Sequence, residues 1–278
     1  MITGKGKVIP HIGYPTESFK APMIYNPWFE AKHIDAVVVP LGIKPEDFPT
    51  LFPLLFKNVT TTHGALITMP HKVTVLDMVD EITPTAQIAG AANAILKRPN
   101  GTLVADQFDG AGFVRGMERK GTKVAGKRAM VVGAGGVGCA IAASIAAAGP
   151  KTLAVFDMNT DAMEGLASRL RQHYPNIEVV TGTRDPAGYD IVVNATPLGM
   201  KPGDPLPFDI DRVAPTTFVG EVVMKEEYTP LLRAAKAKGC PVQVGTDMLF
   251  EMIPAYLEFF GFGSSTADEL RQLAKLEY

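Results

Sequence analysis

The chain has 278 residues, of which 46% are hydrophobic and 20% charged, and its formal net charge is −2. This length suits two ordinary domains or one large one, and the apolar content excludes wholesale disorder. A near-neutral chain without a basic block argues against nucleic acid or a membrane surface as the main partner and points to a small-molecule ligand.

Cys139 and Cys240 are the two cysteines, and no zinc-type Cys/His spacing occurs. Neither a disulfide framework nor a metal site is expected. Residues Met1 to Lys7 lack the long apolar run of a secretory signal, so a cytoplasmic location is expected. Oligomeric state, including a homodimer, is left open.

In chain order, Lys7–Gly13 and Ala36–Leu41 are Val- and Ile-rich and are predicted as buried strands. Pro49–Phe56 has the apolar spacing of a short helix, although Pro53 lies inside it. Ala65–Thr68 is a further strand, and Pro70-His71-Lys72 after it is predicted to open a helix. Pro99-Asn100-Gly101 is predicted to join strands Asn93–Leu96 and Thr102–Asp106 in a tight hairpin, with Asn-Gly favouring positive φ. Asp109–Lys120 is a connecting helix. A regular βαβ pattern follows: strand Ala129–Val132, helix Gly136–Ala148, strand Thr152–Asp157 and helix Asp161–His173. Strands Ile177–Val180, Ile191–Asn194 and Phe218–Val222 continue it, and helices near Asp247–Phe260 and Thr266–Leu276 close the chain. Such alternation implies a parallel sheet covered on both faces. The uncharged run Ala129–Pro150 is long enough to span a bilayer, but its clustered glycines fit strand, turn and helix better.

Gly133-Ala134-Gly135-Gly136-Val137-Gly138 lies between that first strand and an alanine-rich helix. Glycines there allow a tight turn and a close approach to a pyrophosphate, which the helix N-terminus attracts. Gly133, Gly135, Gly136 and Val137 are therefore expected to bind a dinucleotide. Asp157 ends the next strand, where an acidic side chain grips the ribose hydroxyls of NAD. A 2′-phosphate would be repelled by it, and Met158-Asn159-Thr160-Asp161 supplies no cation. NAD is expected to be preferred, with NADP as the second choice. A glycine-rich turn without a ligand is the bland alternative.

Leu66-Ile67-Thr68-Met69-Pro70-His71-Lys72, Gly90-Ala91-Ala92-Asn93-Ala94 and Asp109-Gly110-Ala111-Gly112-Phe113 together resemble the shikimate/quinate dehydrogenase family. Asn194-Ala195-Thr196-Pro197-Leu198-Gly199-Met200, Thr229-Pro230-Leu231-Leu232 and Gly245-Thr246-Asp247-Met248-Leu249 extend the resemblance, in order, over nearly the whole chain. It implies an α/β protein: an N-terminal α/β substrate domain (1–110), a doubly wound Rossmann domain (111–245), and C-terminal helices (246–278) packing back on the first. It also implies an oxidoreductase passing hydride between a cyclic secondary alcohol and NAD(P), in a family associated with aromatic amino-acid biosynthesis. Lys72 matches the catalytic lysine and Asp109 its partner, while Thr68 and Asn93 match residues that hold substrate hydroxyls. Asn194, Thr196, Val222, Gly245 and Met248 fall along the cofactor, with Met248 near the nicotinamide.

The chemistry suits that set. Oxidising an alcohol needs a hydride acceptor on one side and a proton acceptor at the hydroxyl, and a lysine accepts a proton only in its neutral form. Taken singly, a solvated lysine is the commoner reading of Lys72 and a helix cap that of Asp109; the order of the motifs favours catalysis. His71 and Cys139 are read as structural.

Recognition positions depart from the family. Where it carries Ser-x-Ser-Pro for the substrate carboxylate, this chain, anchored on Pro22, has Phe19-Lys20-Ala21-Pro22, so both serines are missing unless a local gap lets Thr16 or Ser18 replace them. Phe108 stands for a threonine, Met224 for a tyrosine and Met252 for a substrate-touching glutamine. Phe19, Ala21 and Met252 are thus candidate specificity positions, with Lys20 the one nearby cation for an acid. A changed substrate is expected. Two other classes remain: a catalytically weak relative sensing a ligand or NAD, and an unrelated folate-type Rossmann dehydrogenase.

Overall fold

Alternating β-branched residues build the first of two sheets. β1 (Lys7–Gly13) and β2 (Ala36–Gly42) pair in parallel, residue for residue, from Lys7 opposite Ala36 to Gly13 opposite Gly42. Between them runs α1 (Pro22–Ala31), and α2 (Phe48–Asn58) follows β2. β3 (Gly64–Ile67), β4 (Glu81–Ile82), α3 (Pro84–Ala89), β5 (Ala94–Lys97) and β6 (Leu103–Asp106) complete this part. The strand order is β2-β1-β3-β5-β6-β4, with β5 antiparallel to both neighbours. Ile12, Ala65, Ile67, Ile95 and Ala105 face a core closed by Phe48, Phe52 and Phe56 of α2, whose spacing of four sets them on one helix face. The helix runs through Pro53, which faces solvent. The computed structural model describes residues 2–277.

Two local expectations change. Only Gly101 in the hairpin loop has positive φ (91°), so Asn100 does not adopt it. Gly101 N–H donates to Arg98 (2.9 Å) and Thr102 N–H to the Asn100 side chain (3.0 Å), a four-residue turn with its glycine at the bulge. After Pro70 no α-helix forms; a 3₁₀ turn spans Thr74–Met78. The β-branched run Val73-Thr74-Val75 disfavours an α-helix, and Leu76 N–H reaches back only three residues, to Val73 (3.2 Å).

In the second sheet, the central strands are buried on both faces and alternate side for side. α4 (Asp109–Arg119), β7 (Arg128–Val132), α5 (Gly136–Ala147), β8 (Thr152–Phe156), α6 (Thr160–His173), β9 (Glu178–Thr181), β10 (Ile191–Asn194), β11 (Phe218–Glu221), α7 (Pro230–Ala237) and β12 (Val242–Gln243) follow in order. The sheet is parallel throughout, ordered β12-β11-β10-β7-β8-β9. Chain order reverses between β7 and β10, the doubly wound arrangement that binds dinucleotides at its switch point. Val131, Val155 and Val193 pack with α4, α5 and α6, whereas Met130, Val132, Val192 and Val219 pack with Leu231, Leu232 and Ala235 of α7. α4 crosses α5 with backbones touching: a Cβ on Gly110 would lie 2.0 Å from the Ala140 carbonyl oxygen. The uncharged run from Ala129 forms β7 and α5, and no helix among the described residues is long and apolar enough to cross a membrane.

Two further helices, α8 (Gly245–Phe259) and α9 (Ala267–Leu273), end the chain. By contacts, one unit comprises residues 2–87, Ala91–Phe108 and Met252–Glu277; the other comprises Ile88–Gly90 and Asp109–Glu251. The division thus falls after Phe108, and the returning segment starts at Met252, within α8. In the first unit α9 packs on α1. Glu269 takes Lys32 Nζ at 2.6 Å and accepts from Trp28 Nε1 at 3.4 Å.

Candidate active site

In the first unit, the carboxyl ends of β1, β3 and β6 and the start of β5 lie at one end of the sheet. Thr68 continues β3 there, its N–H donating to the Ile12 carbonyl (2.8 Å). Lys72 follows in the turn, half-buried, and its carbonyl accepts from Ala92 N–H (2.8 Å), which ties the lysine segment to Asn93. His71 is structural: its ring stacks on Phe48 (3.9 Å between centroids), and Nε2 pairs with the Ile43 carbonyl (2.7 Å). Burial lowers its pKa, partly offset by that hydrogen bond.

Asn93 is buried with its amide oxygen accepting from Phe108 N–H (3.0 Å), and its carbonyl accepts from the Tyr256 hydroxyl (3.1 Å). Its Nδ2 is sealed from solvent and has no hydrogen-bond partner among the described residues. An unpaired buried donor is costly unless a ligand supplies the acceptor.

The departing positions are apolar in place as well as in sequence. Phe19 stacks on His11 (4.1 Å), Phe108 packs edge-on against Tyr256 (4.8 Å) and Phe259 (5.5 Å), and Ala21 and Met252 are buried. Lys20 differs from expectation. It is buried, and its ammonium donates to the Glu277 backbone carbonyl, because the C-terminal segment lies against this unit.

In the second unit, Gly133 turns at φ 113°, and a Cβ there would lie 2.6 Å from the Ala195 carbonyl oxygen. Gly138 is tighter still: a Cβ there would lie 2.0 Å from the Gly133 carbonyl oxygen. Gly135 caps α5 without a side-chain hydrogen bond, and Gly136 and Val137 form its first turn, so the helix start presents backbone N–H groups suited to a phosphate. Asp157 ends β8; its carboxylate accepts from Ala134 N–H (2.6 Å) in the glycine loop and from Asn159 N–H (2.8 Å). These features fit a dinucleotide. One cation escaped the sequence reading: the loop after β9 brings the Arg184 guanidinium to 5.8 Å from the Phe156 ring, next to Asp157 in sequence.

Asn194 is fully buried and its amide is committed to protein. It donates to Glu221 (2.6 Å) and the Leu198 carbonyl (3.1 Å), and accepts from the Thr196 N–H (3.0 Å) and hydroxyl (2.6 Å). Asn194 and Thr196 therefore shape the 194–200 loop from within. Val222 packs partly buried on the core that includes buried Met248, and Gly245 opens α8 against the carbonyls of Val222 and Val223. Asp109 is buried in the first turn of α4; it and Lys72 belong to different units.

Glu221 is a second residue that sequence reasoning missed. It is fully buried at the end of β11 and accepts from Asn194 and from the Thr229 hydroxyl (2.8 Å). Burial pushes its pKa up to about 7, against the pull of Thr229, Asn194 and the backbone N–H groups of Val223 and Val222. The available signal was a carboxylate inside an otherwise apolar strand.

The shikimate dehydrogenase substrate binding domain matches residues 11–95. A shikimate dehydrogenase (NADP(+)) of Rubrobacter xylanophilus is 34% identical over 256 residues, covering 89% of this chain and 88% of the relative. Among solved structures, a shikimate dehydrogenase in complex with NADP+ superposes with a TM-score of 0.88 at 25% identity, covering 98% of this chain and 96% of the other. Quinate dehydrogenase from Corynebacterium glutamicum in complex with NAD gives 0.85 at 27% identity, covering 96% and 98%.

Proposed function

Because the chain belongs to the shikimate dehydrogenase family of NAD(P)-dependent oxidoreductases, we propose that it oxidises a less polar cyclic secondary alcohol than shikimate, reversibly and with NAD preferred. One observation carries this reading. The first unit keeps the groups that serve the reaction, half-buried Lys72 and the unpartnered donor of Asn93, while Phe19, Ala21, Phe108 and Met252 offer no polar group for a carboxylate. Lys20, the nearby cation, donates instead to the Glu277 carbonyl.

In this reading Asn93 and Thr68 orient the substrate hydroxyls. Lys72 takes the hydroxyl proton in oxidation and returns it in reduction, with Asp109 as its partner in the chemistry. NAD(P), bound on the Gly133–Gly138 loop, supplies the hydride acceptor. Asp157 favours the free ribose hydroxyls of NAD; Arg184 is the cation that would favour a 2′-phosphate.

Hydrogen bonds to a charged group contribute about 1.5–3 kcal/mol each, and two such losses make shikimate a poor substrate by roughly 100-fold or more. Steady-state kinetics with shikimate, quinate and uncharged cyclic alcohols, each with NAD and NADP, test both halves. The expected outcome is a kcat/KM at least ~100-fold higher for an uncharged alcohol than for shikimate, and higher with NAD than NADP. Efficient shikimate or quinate oxidation would refute the substrate reading, and a clear NADP preference the cofactor reading. Cofactor binding without turnover of any alcohol would favour a sensor.

A further inference from the structure

His11 stands in β1, opposite Leu66 of β3 and two residues before Gly13, whose Cβ would touch both Thr68 and Phe19. Its ring stacks on Phe19 with centroids 4.1 Å apart and planes 27° from parallel. The residue as a whole is partly exposed, but Nδ1 is out of solvent contact and has no hydrogen-bond partner among the described residues. Packing does not explain a nitrogen there. A phenylalanine would stack on Phe19 equally well and leave no polar atom unpaired, and an unpaired buried polar atom is destabilising.

We propose that His11 is a specificity-determining residue that hydrogen-bonds an uncharged hydroxyl of the substrate through Nδ1, in the part of the site walled by Phe19. This rests on the reading of the first unit as the substrate unit and narrows its substrate to an uncharged ring that carries a hydroxyl for His11. Burial, and secondarily the charge of Lys72, lowers the imidazole pKa to about 3. The ring therefore offers a neutral donor or acceptor and no charge at working pH. A hydroxyl both donates and accepts and so satisfies either tautomer of a neutral imidazole, whereas a carboxylate only accepts.

The test compares shikimate, its methyl ester and uncharged cyclitols as substrates of the wild type, His11→Phe, His11→Asn and Lys72→Ala, by steady-state formation of reduced NAD. Phenylalanine keeps the stack and removes the nitrogen, while asparagine restores a polar atom near the position of Nδ1. The wild type should prefer the ester or a cyclitol to shikimate. His11→Phe should raise KM for the uncharged substrates about five- to tenfold, with a smaller change in kcat, and narrow their advantage over shikimate. His11→Asn should recover most of that loss, an effect a purely structural role would not give. An unchanged KM in His11→Phe, or an equal loss on shikimate, overturns the role of His11. If Lys72→Ala still abolishes turnover in that case, the oxidoreductase reading stands without it. A wild type that prefers shikimate to its ester overturns the substrate class. A wild type that reduces NAD with none of the panel overturns both.

Discussion

A buried carboxylate is the least expected single residue of the second unit. Glu221 is more readily protonated in the fold than in the unfolded chain, since burial outweighs its hydrogen-bond donors and lifts its pKa to about 7. The folded state therefore holds more protons than the unfolded one between the ordinary carboxylate range and about pH 7. The contribution of Glu221 to stability is full below that window and is lost as pH rises through it, by on the order of 3 kcal/mol. His11 acts oppositely and lower: its depressed pKa makes the fold lose stability as pH falls below about 6.5, toward 3. Comparing wild type with Glu221→Gln isolates the first effect, because glutamine still accepts from Asn194 and does not ionise. Chemical denaturation between pH 5 and pH 8 should show wild type losing stability relative to Glu221→Gln as pH rises. A pH-independent difference would mean that Glu221 does not titrate in this window.

At the scale of elements, strands were legible wherever β-branched residues ran between turn signals. The seven-residue β1 and the four-residue β10 fall on Lys7–Gly13 and Ile191–Asn194 as expected. Helices whose first residue is proline were harder. α1 holds Pro22 and Pro27, which hid the spacing of Ile24, Tyr25, Trp28 and Phe29 on its buried face. α7 went unread although Thr229 before Pro230 is a cap signal, and the Thr229 hydroxyl does accept from Leu232 N–H (3.3 Å). What no one-dimensional pattern carries is the approach of one element to another. Gly110 shows this: its missing Cβ lets α4 lie on the Ala140 carbonyl, and Ser144 Oγ would be 2.4 Å away. Since carbonyl oxygens of a packed helix do not yield, Gly110→Ala should force the helices apart and lower stability by about 1–3 kcal/mol. Thermal unfolding should show a midpoint roughly 3–10 °C lower. An unchanged midpoint would contradict the close crossing of α4 and α5.

For the molecule as a whole, the order of motifs along the chain foretold the family and both sheets, since each motif sits at a strand end or a helix start. The partners of individual groups were not foretold. That Lys20 turns to Glu277, that Asn93 keeps an unpaired donor, and that Arg184 reaches Phe156 depend on distances set by strands far apart in sequence. In the proposed reading these partners bear on substrate and cofactor choice, while the motifs bear on the reaction. The central claim is that Lys72 of the first unit serves that reaction and that the glycine loop of the second holds NAD independently of it. It is tested most directly by measuring kcat on the best cyclic alcohol and NAD affinity by calorimetry, side by side, for wild type and Lys72→Ala. The account predicts a kcat lower by about 100- to 10,000-fold, the contribution of a general acid–base group, with NAD affinity within roughly twofold of wild type, since less than the ~0.5 kcal/mol that this represents is expected to change. Full turnover in Lys72→Ala, or a parallel loss of NAD binding, would contradict it.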